Sequence, residues 1–197
     1  MSFIIGLTGS IGMGKSTTAK MFADQEIPVW DADVAVADVY GKNASAVEPI
    51  KALDKSLIQG EAVSKSALKS AIRSDPEFLK KLELIVHPLV RMHRQNFLEQ
   101  TDAPIVLLDI PLLFETGMDA HVDLVVCVSV DAKTQKQRVL ERGTMTEADF
   151  NIILEKQMPN EEKVAKADFV VPTDTIESAQ MAVDAILVDV RKRVSNA

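Results

Sequence analysis

The chain has 197 residues, of which 47% are hydrophobic and 26% charged, with a formal net charge of -7. That size suits one globular domain with room for a small insert, and the acidic balance argues against nucleic-acid binding, which needs a basic face to displace counterions. A single cysteine, Cys127, cannot form an internal bridge, and no apolar stretch is long enough to span a membrane, so a cytoplasmic protein in a reducing compartment is expected.

The first element expected is a short strand over Phe3 to Thr8. Glycines and Lys15 follow it, then a helix over 16–24. Ile27 to Trp30 reads as a second strand, ending in Asp31-Ala32-Asp33. From about 34 to 100 the pattern is mainly helical, punctuated by turns at Gly41, Asn43 and Gly60. Ser66 to Ile72 and Glu77 to Val86 are amphipathic at helical spacing. Asp75-Pro76-Glu77 starts a helix, with Asp75 suited to the N-cap and Pro76 to the first turn. His87-Pro88 should interrupt the helix, and Leu89 to Leu98 should resume it. Ile105 to Leu108, closed by Asp109, is a third strand. Val122 to Val130 is a fourth, apolar on both sides as a buried parallel strand requires. A helix over Lys133 to Arg142 leads into a polar, mobile segment over 143–160 with some helix. Phe169 to Val171 is a fifth strand stopped by Pro172, and Ile176 to Val194 a final amphipathic helix. Strands alternating with helices imply right-handed crossovers and a three-layer α/β fold with a parallel sheet. The long helical stretch between the second and third strands reads as an insert over that sheet.

Gly9-Ser10-Ile11-Gly12-Met13-Gly14-Lys15-Ser16 has the spacing Gly, four residues, Gly-Lys-Ser, between a strand and a helix. Glycines let main-chain amides turn inward around an anion. The following helix adds unpaired N–H groups and its positive dipole end. Lys15 brings a mobile charge to the β- and γ-phosphates, and the Ser16 hydroxyl is a hard oxygen ligand for Mg²⁺. This is a P-loop. It predicts a bound nucleotide but not what happens to it. A small-molecule kinase, a regulatory GTPase and an ATPase module of a larger machine all use such a loop. The chain has no Asn-Lys-x-Asp string for guanine and no Leu-Ser-Gly-Gly string of a transport ATPase. A small sheet with a helical insert and an Arg-bearing lid suits a kinase, which must keep water from the transferred group.

Asp31 and Asp33 lie where open α/β sheets bind ligands, beyond the carboxyl end of a strand. One of them could meet an acceptor hydroxyl, and either could instead cap a helix. Asp109 ends the third strand, as an acidic residue aiding Mg²⁺ would, or as a turn former would. Arg138 and Arg142 share a helix face and could clamp triphosphate oxygens, or simply face solvent. His87, His93 and His121 have no metal-ligand spacing, and His87 reads as a hydrogen-bonding residue at a helix end.

Several segments together are more specific than the loop. Gly6 to Thr17, Asp31-Ala32-Asp33, Leu82-Glu83 with His87-Pro88, and Asp109-Ile110-Pro111-Leu112-Leu113-Phe114-Glu115 resemble the dephospho-CoA kinases. Gln137-Arg138, Arg142, Gln157 and Ala167-Asp168 continue the match in order. The resemblance implies a P-loop kinase fold with a five-stranded parallel sheet, a helical acceptor-binding insert over about 34–100 and a lid over about 143–160. The core is then about 1–33, 101–142 and 161–197. It implies transfer of the ATP γ-phosphoryl group to the 3′-hydroxyl of dephospho-CoA, the last step of coenzyme A synthesis, with Mg²⁺ required. Asp33 would be the acceptor-side carboxylate, with Lys15 and Arg142 completing the catalytic set. Gly9, Gly12, Met13, Gly14, Lys15, Ser16, Thr17, Arg138 and Arg142 would hold ATP. Thr8, His87, Leu112 and Glu115 would lie near the acceptor, and Ser16 with Asp109, through water, near the metal. Dephospho-CoA is then the partner, with neither nucleic acid nor membrane, in a monomer or weak homo-oligomer. A kinase for nucleosides or nucleotides, or a regulatory nucleotide-binding module, are the alternatives. The chain departs from the family pattern at Ile153, where Arg is common. It also departs at Pro172-Thr173, where Asn often follows the last strand, and at Lys65.

Overall fold

The computed structural model describes residues 2–196. In chain order the elements begin with β1 (Phe3–Thr8), α1 (Lys15–Asp24), β2 (Val29–Asp31) and α2 (Ala32–Val39). Next come α3 (Val47–Leu53), β3 (Ile58–Gln59), β4 (Ala62–Val63), α4 (Lys65–Ser74) and α5 (Pro76–Gln100). Then follow β5 (Ile105–Asp109), β6 (Leu124–Ser129), α6 (Ala132–Glu141), α7 (Glu147–Lys156), α8 (Asn160–Lys166), β7 (Phe169–Pro172) and α9 (Ile176–Ser195). Two compact units result, one of Met1–Trp30 with Asp102–Ala197, the other of Asp31–Thr101.

The first unit is built on a five-stranded parallel sheet in the order β2-β5-β1-β6-β7. β5 (IVLLD) is buried along its whole length and β6 (LVVCVS) along all but its last residue. That burial explains why both read as continuous apolar runs rather than as alternating patterns. β1 lies between them, with Leu7 opposite Asp109 on one side and Val126 on the other. Ile5, Leu7, Phe22, Val126, Val183, Ile186 and Val190 form the centre of one hydrophobic core, joining the sheet to α1 and α9. Phe22 is fully buried there, and truncating such a side chain to alanine costs about 3–5 kcal/mol.

β7 runs one residue past the stop expected at Pro172, which pairs with Ser129. An edge strand needs hydrogen bonds on one side only, so proline is tolerated. The segment over 143–160 holds α7, which starts with a reciprocal capping box between Thr146 and Asp149 and buries Phe150. Among the described residues no helix is long and apolar enough to cross a membrane.

The second unit has its own core, including Val39, Ile50, Leu57, Val63, Leu68, Phe78, Leu82 and Val86. Two details depart from the sequence expectation. First, α5 does not break at His87-Pro88 but continues through Pro88. Proline removes one N–H and leaves the carbonyl of Leu84 without its helical donor. Leu84 is 78% exposed, so water can replace that donor, while buried Phe78, Leu82 and Val86 hold one face of the helix in place. Second, Gly60 marks the tip of a small antiparallel hairpin, with Ile58 opposite Val63 and Gln59 opposite Ala62. Gly60 has φ 65, which glycine supplies without strain.

Candidate active site

The P-loop leaves β1 at Thr8 and enters α1 at Lys15. Gly14 is the N-cap of α1 at φ 90, and no side chain accepts a hydrogen bond from the first turn. By contrast, α2, α4, α6, α7 and α9 are capped by Asp31, Ser64, Asp131, Thr146 and Thr175. The first amides of a helix have no intrahelical acceptor, so those at Lys15, Ser16 and Thr17 are presented to an anion. The Ser16 and Thr17 side chains are exposed beside them. Gly12, at φ 80, lies so close to α6 that a Cβ there would sit 2.6 Å from Val139 Cγ2 and 3.0 Å from the Gln135 carbonyl oxygen. A Cβ at Gly9 would overlap Val128 Cγ2.

Side chains from distant parts of the chain hold the loop from outside. Gln157 Oε1 accepts from the Ile11 N–H at 3.1 Å, and Gln135 Nε2 donates to the Ile11 carbonyl at 2.7 Å. Thr173 Oγ1 donates to the Met13 carbonyl at 2.8 Å. Arg138 grips the same threonine, with one nitrogen 3.3 Å from Thr173 Oγ1 and another 2.7 Å from its carbonyl oxygen. Arg138 is therefore engaged with the β7–α9 connection, whereas Arg142 is exposed at the C-cap of α6.

Lys15 Nζ lies 2.5 Å from Asp109 Oδ1, with side-chain exposures of 13% and 2%. The β1–β5 register, Leu7 opposite Asp109, delivers this carboxylate to the loop. Thr8 Oγ1 donates to the Pro111 carbonyl at 3.1 Å, and Leu112 is 41% exposed. Glu115 is paired at 2.8 Å with Lys163, whose side chain is completely buried, and also accepts from the Met158 N–H. Burial alone would raise the Glu115 carboxyl. The hydrogen bonds from Lys163 and the Met158 amide, with the Lys163 charge, outweigh that and hold it below its ordinary value. Burial pushes the Cys127 thiol up to about 11, which suits an inert core residue.

Asp31 caps α2, accepting from the amides of Asp33 and Val34 at 2.7 and 3.1 Å. Asp33 stands exposed in the first turn of that helix and His87 is exposed on α5. Both belong to the second unit. The first unit brings together Thr8, the loop from Gly9 to Thr17, Asp109, Arg138 and Glu115. Gln135, Lys163 and Thr173 carry no sequence signal for these contacts, and Gln157 stood out only through the family pattern. A glutamine or a helical lysine looks like ordinary surface until its partner is placed.

Ser16 and Asp109 offer the hard oxygen donors that Mg²⁺ prefers. Among the described residues no cluster of three or more His, Cys, Asp or Glu side chains could hold a metal ion. The donor set therefore fits an ion shared with phosphate oxygens and water rather than one caged by protein.

Residues 3–178 match the family model described as dephospho-CoA kinase. A dephospho-CoA kinase of Ruegeria pomeroyi is 51% identical over 191 residues, 97% of each chain. A Thermus thermophilus protein of known crystal structure superposes with a TM-score of 0.85 at 33% identity, covering 95% of this chain and 97% of the other. A dephospho-CoA kinase from Campylobacter jejuni superposes at 0.71 with 23% identity over 98% of each chain, a likeness of fold.

Proposed function

The chain belongs to the dephospho-CoA kinase family, and on that premise we propose that Lys15, Asp33 and Arg142 carry the phosphoryl transfer, with Mg²⁺ required. The reaction moves the γ-phosphoryl group of ATP to the 3′-hydroxyl of dephospho-CoA, giving coenzyme A and ADP as the last step of coenzyme A synthesis. The observation that carries the assignment of roles is the Lys15–Asp109 pair beside the uncapped start of α1. Fixed amides and one ammonium there face the place where phosphate charge must sit.

The amides of Gly12 to Thr17 hold the β- and γ-phosphates, and Lys15 follows the charge as it develops on the transferred group. The transition state is loose, so positioning contributes more than proton removal. Asp33 accepts a hydrogen bond from the acceptor hydroxyl, aims it, and takes its proton late. Arg142 and the lid over 143–160 close on the triphosphate and exclude water, which would otherwise compete as acceptor. Ser16, and Asp109 through water, would hold Mg²⁺, which would supply positive charge to the phosphates. The insert over 34–100, with His87, and the stretch of Thr8, Leu112 and Glu115 receive the acceptor. Arg138 acts on the nucleotide through Thr173 and the loop. The protein works in the cytoplasm, as a monomer or weak homo-oligomer.

Asp33→Asn tests the division of roles. Mg·ATP affinity, measured by calorimetry, stays within about twofold, while kcat falls by about 10²–10⁴-fold. A variant with undiminished kcat would remove Asp33 from the reaction.

A further inference from the structure

Lys163 is the one buried lysine among the described residues, and its side chain is fully buried. A buried ion pair is expensive to desolvate, and replacing both partners by apolar residues of similar volume is often as stable or more so. Stability alone therefore gives no reason for a lysine there. Its contacts supply one. Nζ donates to the Pro111 carbonyl at 3.0 Å and pairs with Glu115 at 2.8 Å, so it ties both ends of one short turn to α8. Thr8 Oγ1 donates to the same carbonyl, and the Met158 amide to the same Glu115 oxygen. Between these ends Leu113 is fully buried and packs over Gly6, where a Cβ would sit 2.7 Å from Leu113 Cδ1. The turn is pinned at three points while Leu112 remains 41% exposed. Asp109, two residues before Pro111, faces Lys15.

We propose that Lys163 is a positioning residue for the acceptor, fixing the Pro111–Glu115 turn at the exit of β5 so that dephospho-CoA meets a rigid surface. Glu115 then acts through its bond to Lys163 more than by touching the substrate. The inference rests on the reading that this turn receives the acceptor. A flexible turn would have to be ordered by the substrate itself, and the cost would appear as weaker acceptor binding.

The experiment uses the full-length enzyme, with Lys163→Met and the double variant Glu115→Gln/Lys163→Met. In Lys163→Met, amide hydrogen exchange over residues 110–116 accelerates and KM for dephospho-CoA rises about tenfold, while KM for Mg·ATP moves by less than about twofold. The double variant removes both charges together, so melting temperature recovers while the raised KM remains. A double variant with wild-type KM overturns the proposal, because charge compensation would then be the whole role. Unchanged exchange in Lys163→Met overturns it as well. Faster exchange with an unchanged KM for dephospho-CoA also overturns it, but through the acceptor reading rather than through the staple. If Lys163→Met does not fold, Glu115→Gln leaves Lys163 bonded to Pro111 and carries the same test. The exchange and KM changes are then smaller in the same direction, and their absence overturns the proposal.

Discussion

Asp109→Asn tests whether Lys15 exchanges its carboxylate partner for a phosphate when nucleotide binds. Asn keeps the shape and removes the charge, leaving the Lys15 ammonium without the partner now 2.5 Å away. Breaking a buried ion pair by removing one partner costs about 3–5 kcal/mol. Lys15 is 13% exposed and has a flexible stem, so a loss near the lower end, about 3 kcal/mol, is expected for the free protein. For a chain of this size that lowers the melting temperature by about 6–12 °C. Nucleotide reverses the sign of the effect. A phosphate replaces the missing anion and no longer competes with a carboxylate for Lys15. A charge-assisted hydrogen bond is worth about 1.5–3 kcal/mol, and Asn retains part of it. A gain of about 1 kcal/mol is then expected, or roughly fivefold tighter ADP. The assay is calorimetric titration with ADP in EDTA, paired with thermal denaturation with and without ADP. EDTA matters because, under the Mg²⁺ role proposed for Asp109, the variant would also lose an anion near the metal and its turnover would fall. Mg²⁺-free ADP binding that is unchanged or weaker, beside the expected loss of apo stability, would refute the exchange.

Two further outcomes follow from the same geometry. Gly12→Ala places a Cβ 2.6 Å from Val139 Cγ2 at a φ of 80, so a stability loss of about 2–4 kcal/mol in urea denaturation and weaker ATP binding are expected; wild-type values for both would contradict the packing of the loop on α6. The Glu115 carboxyl is lowered from 4.5 in the folded protein. The stability it contributes is therefore complete above that pH and lost as pH falls through the lowered folded value. Glu115→Gln should flatten that acid limb, and parallel acid profiles for the two proteins would contradict the pairing with Lys163.

The sheet was readable from sequence because β5, nearly all of β6, and β1 from Ile5 onward are buried on both faces, which demands apolar runs up to their polar last residues. The P-loop was readable for a chemical reason: amides can surround phosphate only where glycines stand at fixed spacing, as at Gly12 and Gly14. Two backbone features were not. Pro88 carries a strong local signal to break a helix, yet the buried face of Phe78, Leu82 and Val86 overrides it. The hairpin at Gly60 is only two paired residues on each side, too short for strand periodicity to show. The residues that hold the loop were hidden for another reason. Gln157 meets Ile11 across 146 positions and Gln135 meets it across 124, so neither contact leaves a local pattern. Thr173, a departure from the family pattern, proves to brace Met13 and to receive Arg138. Lys163 sits in a Glu-rich helix start that reads as solvated surface, and its burial follows only from the placement of Glu115 and Pro111.

The most direct test is to incubate the purified protein with Mg·ATP and either dephospho-CoA or a nucleoside monophosphate, and to identify products by ³¹P NMR. A new phosphomonoester on the ribose 3′-oxygen of dephospho-CoA, formed with stoichiometric ADP and absent with Lys15→Ala, is the expected result. Phosphorylation of the nucleoside monophosphate instead, or ADP released at the same rate with no acceptor present, would contradict it.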